Sequence, residues 1–251
     1  MLTKKRQRRF LAEKEQQLLQ ELVLFNESRD EKALHRLRLE LKKIRALVEL
    51  AKVRSGKRAA AHFAGLKKMF REAGVIRDAG SRVRFLEERQ LLSEEHRNRQ
   101  ARSIRLAGDI FAAHIHQYQK KGKKASKRLK TRMHAIHAGG VLRWYAAEVI
   151  RTGLLLGGTG DELHEARKKI KTMLYVQKIL PAEITKRIRL NTDYLDQLQE
   201  AIGQWHDAMM AMADWTEDNP GGKQAVHREC LDKEQVVRTL AVEFHLKVHL
   251  I

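Results

Sequence analysis

The residues best suited to chemistry in this sequence are two matching sets of cations. His35-x-x-Arg38-x-x-x-Lys42 recurs as His164-x-x-Arg167-x-x-x-Lys171. On a helix turning about 100° per residue, Arg38, Lys42 and Arg45 fall within about 80° of His35. The apolar residues Leu34, Leu37, Leu41, Ile44 and Val48 occupy the adjoining arc. The second set behaves alike: His164, Arg167, Lys168 and Lys171 flank Leu163, Ile170 and Leu174. A stripe that borders the apolar face, rather than opposing it, is expected to line a groove where helices diverge. The two stripes are expected to face a common cleft or pore, where fixed cations focus their field on an anion. Arg38 and Arg167 suit bidentate contact with phosphate oxygens, and the lysines act as point charges. The competing reading is a solvated charge run whose stems cover the edge of the core. For His35 and His164, a hydrogen bond to backbone or carboxylate competes with phosphate contact. Neither has a second metal donor four residues on, so no metal is expected there.

Other candidate chemistry is thinner. His206-Asp207, His114-x-His116 and His134-x-x-His137 raise a metal-dependent phosphohydrolase. Such enzymes need several His and Asp ligands converging on one centre, and the carboxylates here are scattered. No cofactor is expected. Cys230 is the lone cysteine, which rules out an intramolecular disulfide or a CxxC knuckle and fits a reducing, cytoplasmic setting. A second basic region runs from Lys120 through Lys121, Lys123 and Lys124 to Lys127, Arg128, Lys130 and Arg132. It is expected to be a ligand-clamping loop or an exposed linker.

The elements that must carry these residues are helices. Only Pro181 and Pro220 interrupt a chain dominated by Leu, Ala, Glu, Lys, Arg and Gln, and alternating β-branched runs are absent. Helices are expected near 3–25, 29–54, 57–73, 76–96, 98–119, 123–156, 161–179, 182–202, 204–217 and 223–249, with Gly56, Gly74, Gly122, Gly157–Gly160, Gly203 and Asp218–Gly222 as punctuation. Gly74 and Gly203 read as helix stops, with Asp78 and Asp207 in the first turn of the next helix. Leu66-x-x-Met69, Gly74 and Asp78 recur as Leu195-x-x-Leu198, Gly203 and Asp207, at the same offset of 129 that relates His35 to His164. Two blocks in one register indicate a duplication, about 1–125 and 126–251. The expected fold is all-α: a duplicated helical bundle within a single domain over 1–251, its two four-helix-like halves related by an internal pseudo-twofold.

Charge bounds the function. Lys and Arg number 51 against 31 Asp and Glu, a net charge of +20. Such an excess suits polyanions in general, whether nucleic acid, anionic membrane or another polymer. No apolar run reaches the length of a membrane span. The basic residues are spread over many helices, not gathered in one amphipathic anchor, so no membrane partner is expected. The basic start, Lys4 to Arg9, is followed by Glu13 and Glu15 and not by an apolar stretch, so no signal peptide is expected. RNA binding is the alternative, but the chain carries only 14 aromatics, most at core spacings, which is poor for stacking single strands.

In these residues the chain resembles the CHAD family, the conserved-histidine α-helical domain. The resemblance rests on His35 to Arg45 with Gly74-Val75-Ile76-Arg77-Asp78, and on His164 to Tyr175 with Gln199 and Gly203-Gln204-Trp205-His206-Asp207. It spans nearly the whole chain. It implies binding of inorganic polyphosphate through a basic surface or central pore, in the cytoplasm and associated with polyphosphate granules. Carried over by position, the implied contacts are His35, Arg38, Lys42, His164, Arg167 and Lys171, with Arg45, Arg77, Lys127, Arg128 and Lys168 beside them. The chain departs from the pattern at Leu174, where an arginine is usual, and at His206, where an asparagine is usual. Nothing near the N-terminus resembles the Glu-x-Glu-x-Lys strand of the triphosphatase joined to some relatives, so a stand-alone binding domain and no enzyme is expected. Reversing Arg38 and Arg167 is expected to weaken binding far more than reversing Lys4 and Lys5, with helix content intact.

Overall fold

A computed structural model describes residues 1–56, 61, 63–213, 215 and 219–249. Within them the chain is all-helical: α1 (Lys4–Ser28), α2 (Glu31–Ser55), a 3-10 turn (Ala64–Leu66), α3 (Lys67–Glu87), α4 (Glu94–Ala113), α5 (Ile115–Arg132), α6 (Ala138–Leu156), α7 (Gly160–Gln177), α8 (Ala182–Ile188), α9 (Thr192–Ala213), α10 (Pro220–Ala241) and α11 (Phe244–Lys247). The start of the helix expected from residue 57 and the Asp218 end of the expected turn lie outside the described residues.

The chain divides into two compact units. The first comprises residues 1–80, 101–144 and 175–184; the second comprises 81–100, 145–174 and 185–251. The first cation block and Gly74–Asp78 fall in the first unit, and the second block and Gly203–Asp207 in the second.

In the first unit, α1 packs along α2 and α5. Thr3 caps α1 by accepting the Arg6 N–H at 3.2 Å, and Asp30 caps α2 by accepting the Lys32 N–H at 2.9 Å. The expected apolar arc of α2 is buried throughout: Leu34, Leu37 and Leu41 are fully enclosed, and Ile44 and Val48 nearly so. Burial of such side chains stabilises by about 1.5–3 kcal/mol each, which fixes the rotation of α2 and therefore the direction of its cations. α5 turns Tyr118, Gly122, Ala125 and Leu129 inward. In the second unit, α9 packs on α10, while Leu163, Ile170 and Leu174 bury the inner face of α7.

Three expectations are corrected. Gly74 and Gly203 do not stop helices; they lie inside α3 and α9. Asp78 and Asp207 therefore belong to the same helices and not to the first turns of later ones. The region from Lys120 to Arg132 is neither loop nor linker but helix α5, and Gly122 sits inside it against Leu18. The expected 123–156 helix is two helices, parted at residues 133–137, where Leu2 and Ile136 exchange backbone hydrogen bonds of 2.9 and 3.0 Å. That pairing draws Ile136 out of helical geometry. Its partner lies more than a hundred residues away, so no local signal announces the break.

Candidate anion-binding site

The arginines of the two blocks occupy equivalent niches. Arg38 crosses from α2 to α3 and donates through Nη1 to the Phe70 carbonyl at 2.7 Å. Its guanidinium lies over the Phe70 ring, 4.3 Å from the centroid. Arg167 crosses from α7 to α9 and donates through Nε to the Gln199 carbonyl at 2.9 Å. Phe70 and Gln199 are again 129 apart, so the register of the blocks extends to their hydrogen-bond acceptors. The glycines explain the niches. A Cβ at Gly74 would collide with the Arg38 guanidinium, and one at Gly203 with that of Arg167. Each glycine is a gap in a helix surface that receives a planar cation. What sequence reading takes as a terminator is a socket.

The sockets change what these arginines can do. The Arg38 side chain is only 12% exposed, with Asp78 Oδ2 at 4.0 Å. Burial lowers its pKa, partly offset by Asp78, and Arg77 adds to the lowering. Arg38 therefore fastens α2 to α3 and sets the positive potential beneath the stripe.

The other expected positions lie further out. His35 and Arg45 are exposed on α2, and Lys42 is half-buried between them. Arg77, on α3, is one-third exposed and donates from Nη1 to Asp78 Oδ1 at 3.0 Å. In the first unit His35, Arg38, Lys42 and Arg45 thus share one stretch of α2, and Arg77 joins Arg38 through their common neighbour Asp78. Lys127 and Arg128 lie apart from that group, exposed on α5. In the second unit Lys168 is exposed and pairs with Glu165 at 2.6 Å, while Lys171 is half-buried.

Sequence reading undervalued two features. The first is the outer face of α5. Lys120, Lys121, Lys123, Lys124, Lys127, Arg128 and Arg132 are all exposed on a helix that contains no acidic residue. Among the described residues none of these seven has a carboxylate at ion-pair distance; only Lys130 does, with Glu15 at 2.6 Å. Arg8 of α1 donates to the Lys130 carbonyl at 2.9 Å, so the basic start of α1 adjoins the end of this face. The run was visible in the sequence; what was missing was the single helix through Gly122 that carries all of it from Lys120 to Arg132.

The second feature is His206, whose ring stacks on that of His164 with centroids 4.2 Å apart and planes 31° from parallel. Burial lowers the His164 pKa from 6.5 to about 4, with further lowering from His206, Lys168 and Arg167 against a small rise from Glu165. A histidine depressed in the folded state binds fewer protons there than when unfolded, so stability rises with pH across that interval. Stability is expected to be full above about pH 6.5 and to fall as pH drops toward 4. Urea melts from pH 7 to 4 check this: His164→Gln should flatten the acid limb, and an unchanged limb would locate the acid sensitivity elsewhere.

Among the described residues no three His, Cys, Asp or Glu side chains converge as metal ligands, and no helix is long and apolar enough to cross a membrane. Compared with known proteins, residues 9–214 match the family model described as the CHAD domain. No curated protein and no solved structure matches the chain.

Proposed function

Because this chain belongs to the CHAD domain family, we propose that it binds inorganic polyphosphate through basic helix surfaces and catalyses no reaction. The observation that carries this reading is the outer face of α5, seven exposed cations on a helix with no acidic residue. A side chain without a protein counterion loses no ion pair when it meets a phosphate, and it releases condensed counterions from the polymer. The stripe of His35, Lys42, Arg45 and Arg77 above Arg38 supplies a second basic surface in the first unit. His164, Lys168 and Lys171 above Arg167 supply one in the second. The repeated sockets, with donors and acceptors at one offset, support descent of both blocks from one duplicated helical unit. The chain's single cysteine fits a reducing, cytoplasmic setting, and a polyphosphate ligand fits association with polyphosphate granules.

RNA is the competing ligand, since the same cations would attract it. Against it stands the placement of the aromatics: among the described residues no Phe, Tyr or Trp is exposed. Single-strand binders gain about 1–3 kcal/mol per base by stacking on aromatics, and the outer face of α5 offers none, its one aromatic, Tyr118, being buried. Competition decides between them. The protein is loaded with labelled long-chain polyphosphate and titrated with RNA or DNA. Retention of polyphosphate at matched phosphate concentration is expected; displacement there would reassign the ligand. Phosphate release on adding Mn or Mg would revive the hydrolase.

A further inference from the structure

The offset of 129 that pairs Arg38 with Arg167 also pairs Arg45 with Leu174 and Arg77 with His206. Where the first block carries two permanent guanidinium groups, the second carries a leucine and an imidazole. That imidazole is the one stacked on His164. His164 Nδ1 is enclosed and has no hydrogen-bond partner among the described residues, which leaves Nε2 as the nitrogen of that ring on the half-open side.

The surroundings are more cationic than anionic. On α7, Arg167 and Lys168 face the ring, with Glu165 opposed to them. On α9, His206 meets the ring, and Asp207 follows it in the chain on the exposed side of that helix. From α10, Lys233 reaches Gln204 Oε1 at 3.5 Å. A proton added to either ring meets these cations and the desolvation of a half-buried ring. An anion at the ring edge would remove that penalty, so anion and proton should bind together, by linkage.

We propose that His164 and His206 form a proton-dependent oxyanion site in the second unit, which takes up a phosphoryl group together with a proton. The phosphoryl group comes from a polyphosphate chain or from free orthophosphate. For the chain, the proposal rests on the polyphosphate reading above. The first block, with Arg77 in the matching position, carries its positive charge at every physiological pH. The molecule then holds one constitutive surface and one that strengthens in acid.

The test is proton uptake on binding, measured by titration calorimetry of the full chain in two buffers of different ionisation enthalpy. At pH 5.5, wild-type protein should take up close to one proton with long-chain polyphosphate and bind it about tenfold more tightly than at pH 7.5, the effect of returning a histidine held at about 4 to its ordinary 6.5. His206→Arg should bind at pH 7.5 as wild type does at pH 5.5 and lose that proton. Arg77→His should gain pH dependence in the first block. If His206→Arg does not fold, His164→Gln takes its place and should also lose the proton. Uptake unchanged by these substitutions overturns the site. If polyphosphate fails to bind wild-type protein at either pH, the functional reading falls. Orthophosphate at pH 5.5 then decides the site alone: proton uptake lost in His206→Arg upholds it, and uptake that persists sinks it.

Discussion

Arg38→Glu is expected to cost about 3–5 kcal/mol of stability, the usual penalty for leaving a buried charge without a partner. The new carboxylate would face the Phe70 carbonyl that now accepts the Arg38 Nη1–H, inside a niche shaped for a cation. Arg167→Glu should behave alike, because its Nε donates to Gln199 in the matching socket. Against a typical total of about 5–15 kcal/mol, either change removes a large share of the stability. The sequence alone suggests the opposite, that helix content survives reversal of both arginines; burial of Arg38 removes that expectation. Urea unfolding followed by circular dichroism measures the loss. A double-mutant cycle isolates its cause. Gly74→Ala should destabilise by displacing the guanidinium, and much less so in an Arg38→Ala background, where the socket is empty. Additive losses would mean that arginine and glycine act independently and that the socket is not the source of the stability.

The sockets also mark where sequence reading stops. The helical class, the buried arc from Leu34 to Val48 and the offset of 129 all follow from periodicity, because side-chain burial on a helix repeats every 3.6 residues. Gly74 misleads because glycine has two uses. It frees the backbone at a helix end, and it removes a Cβ where another group must approach. One sequence cannot separate these uses; the Arg38 guanidinium inside the helical surface does. The α5 lysines illustrate a different gap. Like charges four residues apart weaken an isolated helix, so the lysines around Gly122 read as a break between two helices. Here burial of Tyr118, Gly122, Ala125 and Leu129 overrides that repulsion. In the sequence His206 stands out only through its pairing with Asp207 and as a histidine where the family usually has an asparagine. Its contact with His164 depends on how α9 packs against α7, which no spacing within either helix encodes.

Salt separates a functional surface from structural arginines. If the seven exposed cations of α5 engage polyphosphate as cations engage single-stranded nucleic acid, the slope of log K against log salt is about −0.7 per phosphate neutralised. Seven contacts give a slope near −5, so affinity should fall about a thousandfold between 50 and 200 mM salt. Lys124→Glu, Lys127→Glu and Arg128→Glu together remove three of those contacts and place three negative charges beside the polymer. The slope should shrink to about −3, with at least a hundredfold loss of affinity at low salt. All three side chains are exposed and form no ion pair among the described residues, so the urea midpoint should stay near the wild-type value. That pattern is the reverse of the one expected for Arg38→Glu, which attacks the fold first and binding only through it. If the triple variant keeps both its affinity and its salt slope, polyphosphate does not travel along α5, and the stripes above Arg38 and Arg167 must carry the ligand alone.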